Sequence, residues 1–277
     1  MCEKWHKEYS NQLDMLHIRQ LESLFSLTQF DDWPNAVGLN QLNLAACTQN
    51  LPEFVCQSQI EEPDLYYEQI IFQKNIVPTR PNSWHDLFNG LIWLQFPKTK
   101  RLLNQLHVQD IEQFGLSPRT LQRNNLTHFD ECGVIITYEK SVNNQELISQ
   151  LSEHQWHQVF VKNRGLWGKQ LNAYMFGHAN LEMLLAPFIG LTGKWLAIEV
   201  ETGFHELAYQ QQLLLLDDLL LKQIIEQKLF LQNKPLFPLP LLGIPEVWNA
   251  NKDPEFYANT DYFRPKPKPR TLSGGLN

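Results

Sequence analysis

The sequence predicts an α+β fold, mostly helical with a small antiparallel sheet. Two long stretches carry helical spacing, residues 84–107 and the Leu-rich run from Glu206 to Leu231. Short β-branched or aromatic runs, Leu126–Phe129, Val134–Tyr138 and Lys194–Val200, supply the strands. A hydrophobic fraction of 43% is enough to build a core from 277 residues. The expected organisation is a helical extension over residues 1–64 packed on a single domain over 65–265. A basic, Pro-rich tail over 266–277 is expected to be flexible and polyproline-like.

Taken in order, residues 11–30 look helical, with Leu13, Leu16, Ile18, Leu21 and Leu24 at helical spacings, and 31–65 read as loop-rich. A short helix or strand near Tyr66–Phe72 leads to Val77-Pro78-Thr79-Arg80-Pro81, where each proline biases its predecessor towards extended geometry. Ser83 with Asp86 three positions on has the form of a capping box and opens a helix that Pro97 ends. That helix is apolar on all sides, which predicts burial. Lys98–His107 reads as a second, more polar helix, and Ser117-Pro118 as the start of a short one ending near Arg123. The runs flanking Asp130-Glu131-Cys132-Gly133 read as a hairpin with a four-residue loop. Helices are expected over about 145–162 and 167–186, then the 194–200 strand and the 206–231 helix.

Composition removes several functional classes. A net charge of -7 gives no strong nucleic-acid signal. The apolar run Leu213–Leu221 is interrupted by Asp217 and Asp218 and is far shorter than the ~20 residues of a membrane span. The amino-terminal segment has no apolar stretch of a secretory signal. The four cysteines show no zinc-ligand spacing and read as free thiols. A soluble, cytoplasmic protein is the expectation. No glycine-rich phosphate loop and no GxSxG or GxGxxG motif is present.

The residues that could carry chemistry are ionisable groups on stretches that otherwise read as buried. At 100° per residue, His178 falls within about 60° of Leu171, Tyr174, Met175, Leu181 and Leu185, and Glu182 lies about 40° from it. A buried imidazole and carboxylate need partners. Either they pair with each other or both point at one ligand. On the buried helix, His85 and Asn89 are four residues apart with Asp86 beside His85, and Arg80 just before it could pair with a carboxylate or hold an anion. Asp86 also serves as the helix-start carboxylate. Asp130 and Glu131 in the expected turn complete a set of oxygen and imidazole donors without thiolate, suited to a divalent metal that would activate water. Accordingly His85, Asp86 and His178 are expected as metal ligands. Asp130, Glu131 and Glu182 are expected as catalytic groups, and Arg80 and Asn89 as ligand-binding groups. Cys132 has no base placed near it by the sequence.

The string RPNSWHDLFNGLIWLQFPKTK at 80–100 resembles the pattern of a bacterial family, domain-of-unknown-function family 3025. LTHFDECG at 126–133, FGHANLEMLLAP at 176–187 and PLPLLGIPEVW…NKDPEFYANTDYFRP at 238–265 resemble it in the same order. The resemblance implies a cytoplasmic bacterial protein and carries no substrate. Three functional readings therefore compete. The first is a metal-assisted hydrolase. The second is a non-enzymatic binding or adaptor protein whose polar cluster is structural. The third is a small-molecule pocket without turnover.

Overall fold

The computed structural model describes residues 2–46, 51–62 and 64–267. Its helices are α1 (Cys2–Ser10), α2 (Leu16–Phe25), α3 (Ala36–Ala46), α4 (Tyr67–Lys74), α5 (Trp84–Gln95), α6 (Pro97–Phe114), α7 (Leu121–Cys132), α8 (Val142–Ser152), α9 (His178–Leu184) and α10 (Tyr209–Glu226). Its strands are β1 (Glu53–Cys56), β2 (Ile76–Thr79), β3 (Gly133–Glu139), β4 (Leu171–Met175), β5 (Thr192–Val200) and β6 (Phe237–Pro240). Mostly helical α+β architecture is therefore present. The principal sheet is mixed rather than antiparallel: the order is β4-β3-β5-β6, with β3 and β5 parallel and both outer pairs antiparallel. A separate two-stranded sheet pairs β1 and β2 in parallel.

Helix α5 is the centre of the packing. Ser83 caps it by accepting from the Asp86 amide at 3.2 Å, and every residue from Leu87 to Gln95 is buried. The rest of the expected capping box is not formed, because the Asp86 carboxylate turns to the Arg80 amide and guanidinium. Helix α6 follows at Pro97 and runs further than its expected end at His107. Its first amides are satisfied from across the core: the Asp217 carboxylate of α10 accepts from the Lys98 and Thr99 N–H groups, each at 2.9 Å. This explains an acid inside the Leu-rich run. Trp5 of α1, Trp33 and Trp84 of α5 form an edge-packed aromatic cluster that ties the amino-terminal helices to α5.

Several expected elements differ. Residues 126–132 belong to α7, not to a hairpin strand, and α7 runs straight into β3. The β-branched run after Gly133 is a strand, but its antiparallel partner is β4, nearly forty residues later. The expected 167–186 helix is two elements, strand β4 and then α9, separated by Phe176-Gly177. Leu171, Ala173 and Met175 follow a period-2 pattern, but with Tyr174, Leu181 and Leu185 the same stretch also fits helical spacing. Ser117-Pro118 lies in a loop, and the helix opens at Leu121 with the Thr120 hydroxyl accepting from the Arg123 amide at 3.1 Å. The segment expected to be loop-rich at 31–65 contains α3 and β1. The expected tail lies largely outside the described residues, which end at 267. Among the described residues no helix is long and apolar enough to cross a membrane.

Candidate metal centre

The sheet register assembles the site. Strands β3 and β4 are antiparallel neighbours with Val134 opposite Met175, so the start of β3 lies beside the end of β4. Immediately before β3 come Asp130 and Glu131, at the end of α7. Immediately after β4 come Gly177 and His178, at the start of α9. The junction is pinned by the Gly177 amide donating to the Gly133 carbonyl at 2.8 Å and by the Asn180 side chain donating to the Cys132 carbonyl at 2.8 Å. Gly177 is required by space. Its backbone angles are ordinary, but a Cβ there would lie 2.5 Å from the Glu131 carbonyl oxygen and 2.5 Å from the Gly133 nitrogen. Helix α5, packed on α9, delivers His85 from its first turn.

The two imidazoles meet with their Nε2 atoms 3.0 Å apart. The Glu131 carboxylate sits 3.4 Å from His178 Nε2 and 3.8 Å from His85 Nε2. These three donors all lie within 4.8 Å of one another. At metal–ligand bonds of about 2.0–2.1 Å, tetrahedral donors are separated by roughly 3.3 Å, within the 3.0 to 3.8 Å spacings seen here. Behind the donors, His85 Nδ1 and the Glu182 carboxylate are 3.0 Å apart. An Nδ1–H on His85 donating to Glu182 leaves its Nε2 lone pair facing the centre, an arrangement typical of metal-ligating histidine. His178 Nδ1 has no hydrogen-bond partner among the described residues, and the Asp130 carboxylate is 4.0 Å away.

Electrostatics favour a cation at this point. Burial, followed by the neighbouring charges, sets the state of each group. His178 is buried, and loss of water lowers its pKa to about 3, so it is a neutral lone-pair donor across the physiological range. Burial raises the Glu131 carboxyl, and the nearby Asp130 and Glu182 carboxylates raise it further. A dication would relieve that crowding. Asp130 is raised by burial but ends below its usual range, because the Lys100 ammonium at 2.5 Å more than compensates. Lys100 also donates to Asn89 at 2.9 Å, and Asn89 in turn donates to the Tyr67 hydroxyl at 2.9 Å.

The expected residues thus separate. His85, His178, Glu131, Glu182 and Asp130 come together. Asp86 and Arg80 line the same cavity but are committed to each other, at 2.7 Å, and Asp86 is not among the grouped donors. Asn89 reaches the site through Lys100. The cavity holds about 280 Å³ and its lining is chiefly polar. Seven further residues line it that are not among the candidates read from sequence: Gln57, Tyr66, Tyr67, Glu68, His107, Arg119 and Thr127. Lys100 lines the adjoining small cavity with Tyr67, Glu68, His107 and Asp130. A signal for part of this set existed. Lys100, Asn104 and His107 lie at i, i+4 and i+7 on α6, a polar stripe at helical spacing, and all three are buried.

Two buried histidines away from the donor set predict acid sensitivity. Burial lowers His17 and His107 from 6.5 to about 4 each. Between those values the unfolded chain binds protons that the folded chain does not, so stability falls with pH, by on the order of 3 kcal/mol per group. Glu68 acts in the opposite sense. Burial raises it to about 7 from 4.5, so the folded chain keeps a proton that the unfolded chain releases as pH rises through that interval. In metal-free protein His178, lowered to about 3, adds to the two histidines, so the net expectation is a loss of roughly 5 kcal/mol as pH falls from 7.5 to 4.5, three imidazoles against one carboxyl. Urea denaturation at both pH values measures it; equal stability would contradict the assignment.

No curated protein and no solved structure matches this chain. A family model described as "Protein of unknown function (DUF3025)" matches residues 52–267, which contain every residue of the site. The chain belongs to the DUF3025 family.

Proposed function

We propose that this protein is a metal-dependent hydrolase whose divalent ion is held by His85 Nε2, His178 Nε2 and the Glu131 carboxylate. The observation that carries the reading is the convergence of three donors from α5, α7 and α9 on one point, spaced 3.0, 3.4 and 3.8 Å apart. Two imidazoles and one carboxylate with a further position open to a cavity is the donor set of a catalytic zinc ion. An ion there would supply Lewis acidity and lower the pKa of a water molecule. The chain's own contributions are distinct. Glu182 orients His85, Asp130 faces the second nitrogen of His178, and Lys100 fixes Asp130. The water-accessible, polar lining favours hydrolysis over oxygen chemistry, which the same three ligand types also serve with iron.

Elemental analysis and zinc titration of the purified chain test this. One zinc per chain is expected, lost in His85→Ala and His178→Ala. Glu182→Gln, which keeps a weaker acceptor for His85 Nδ1, is expected to weaken zinc binding about 10- to 100-fold. A chain that takes up no divalent ion, or that carries iron in its place, would end the hydrolase reading.

A further inference from the structure

Resting on the metal reading above, we propose that the cavity recognises a phosphoryl group, held between the metal position and the guanidinium of Arg119, and that the substrates are phosphate esters.

Arg119 is the lining cation that the fold has not committed to an acid. Arg80 is paired with Asp86 and Lys100 with Asp130. Arg119 instead donates to two hydroxyls, Thr127 Oγ1 at 3.4 Å and the Tyr66 hydroxyl at 3.2 Å, and among the described residues no carboxylate lies within ion-pair distance of it. The two hydroxyls aim the guanidinium without neutralising it. The charge count agrees. The two internal pairs cancel and a dication offsets Glu131 and Glu182; Glu68, whose carboxyl burial raises to about 7, is neutral when protonated, and Arg119 then leaves the cavity net positive. An anion completes that balance.

Placement selects the kind of anion. Thr127 and Glu131 are four residues apart on α7, so they share a face about 6 Å apart along the helix. The guanidinium anchored on Thr127 therefore lies on the side of α7 that carries the metal ligand, and both line the same cavity. A tetrahedral oxyanion with one oxygen on the ion and another on the guanidinium spans roughly 7 Å from ion to nitrogen, from bonds of about 2.1 and 2.9 Å. An acyl carbonyl has one oxygen and cannot reach both while remaining the reacting centre. A phosphoryl group can, and the forked geometry of arginine suits it. The reaction is R–O–PO₃²⁻ + H₂O → R–OH + HPO₄²⁻. The water oxygen forms a P–O bond, the ester P–O bond breaks, and the leaving oxygen takes one of the water protons. No other reactant enters.

The test uses the full chain, loaded with zinc, as wild type, Arg119→Gln and Arg119→Lys, with zinc uptake and thermal melting measured for each. Inorganic phosphate binding is read by calorimetry, and hydrolysis of p-nitrophenyl phosphate is compared with that of p-nitrophenyl acetate. Zinc uptake and melting are expected to be unchanged, because Arg119 is exposed and not a ligand. Phosphate affinity should fall at least tenfold in Arg119→Gln, with partial recovery in Arg119→Lys. KM for the phosphate ester should rise in parallel, while the acetate ester is unaffected. Zinc uptake by wild type together with absent phosphate binding, or with affinities in the three proteins within twofold, would overturn the phosphoryl assignment and leave the metal reading standing. Failure of zinc uptake overturns both.

Discussion

Gly177→Ala is expected to destabilise the chain by about 3 kcal/mol or more and to weaken zinc binding at least tenfold, although Gly177 contacts no ion. The added methyl would meet only main chain: the Glu131 oxygen and Gly133 nitrogen at 2.5 Å and the Cys132 carbonyl carbon at 2.6 Å. Main chain cannot rotate aside as a side chain can, so the α7–β3 junction and the start of α9 must separate. The residues flanking that gap are Glu131 and His178, two of the three donors, which approach to 3.4 Å. Gly165→Ala is the matched control, since a methyl there meets nothing within 4 Å. Denaturation and zinc titration of the two variants measure the difference. Gly177→Ala matching Gly165→Ala in stability would refute the steric account, and retained zinc affinity would refute its link to the site.

The same junction shows why the site was only partly legible in the sequence. His85 and His178 announce themselves as ionisable groups in apolar surroundings, and α5 is recognisable from its Ser83 cap, its unbroken apolar face and Pro97. Long-range strand pairing between β3 and β4 brings His178 to Glu131, and packing of α5 on α9 brings His85 to His178; no local periodicity encodes either. Reading 167–186 as one helix placed His178 on a stripe with Leu171 and Tyr174. In fact those residues belong to a strand, and His178 opens the next helix. Likewise Asp130-Glu131 reads as a turn because a short, polar, glycine-ended tetrapeptide lies between apolar runs. Helix α7 overrides that through its Thr120 cap and its packing on the core. Asp86 is adjacent to His85 in sequence, but adjacent residues on a helix point about 100° apart, and the Asp86 carboxylate pairs with Arg80.

Lys100 carries the last large effect. It is buried, its ammonium held by Asp130 and Asn89 and placed 5.4 Å from the centre of the Trp93 ring. Replacing it with Met keeps the stem but strands the Asp130 carboxylate in a site where burial already pushes that carboxyl upward. The expected cost is about 3–5 kcal/mol, most of it from the uncompensated acid and not from the loss of an attraction. Asp130→Leu combined with Lys100→Met removes the stranded charge, so the double variant is expected to recover much of that loss. A purely packing role for Lys100 predicts the reverse, additive losses in the two single variants. Zinc separates the structural from the ligating role. Neither Lys100 nor Asp130 supplies a donor atom, so metal binding in Lys100→Met should persist at low temperature even as stability falls. Its loss there, with the fold intact by circular dichroism, would mean that Asp130 positions His178 for the ion and that Lys100 acts on the metal through it.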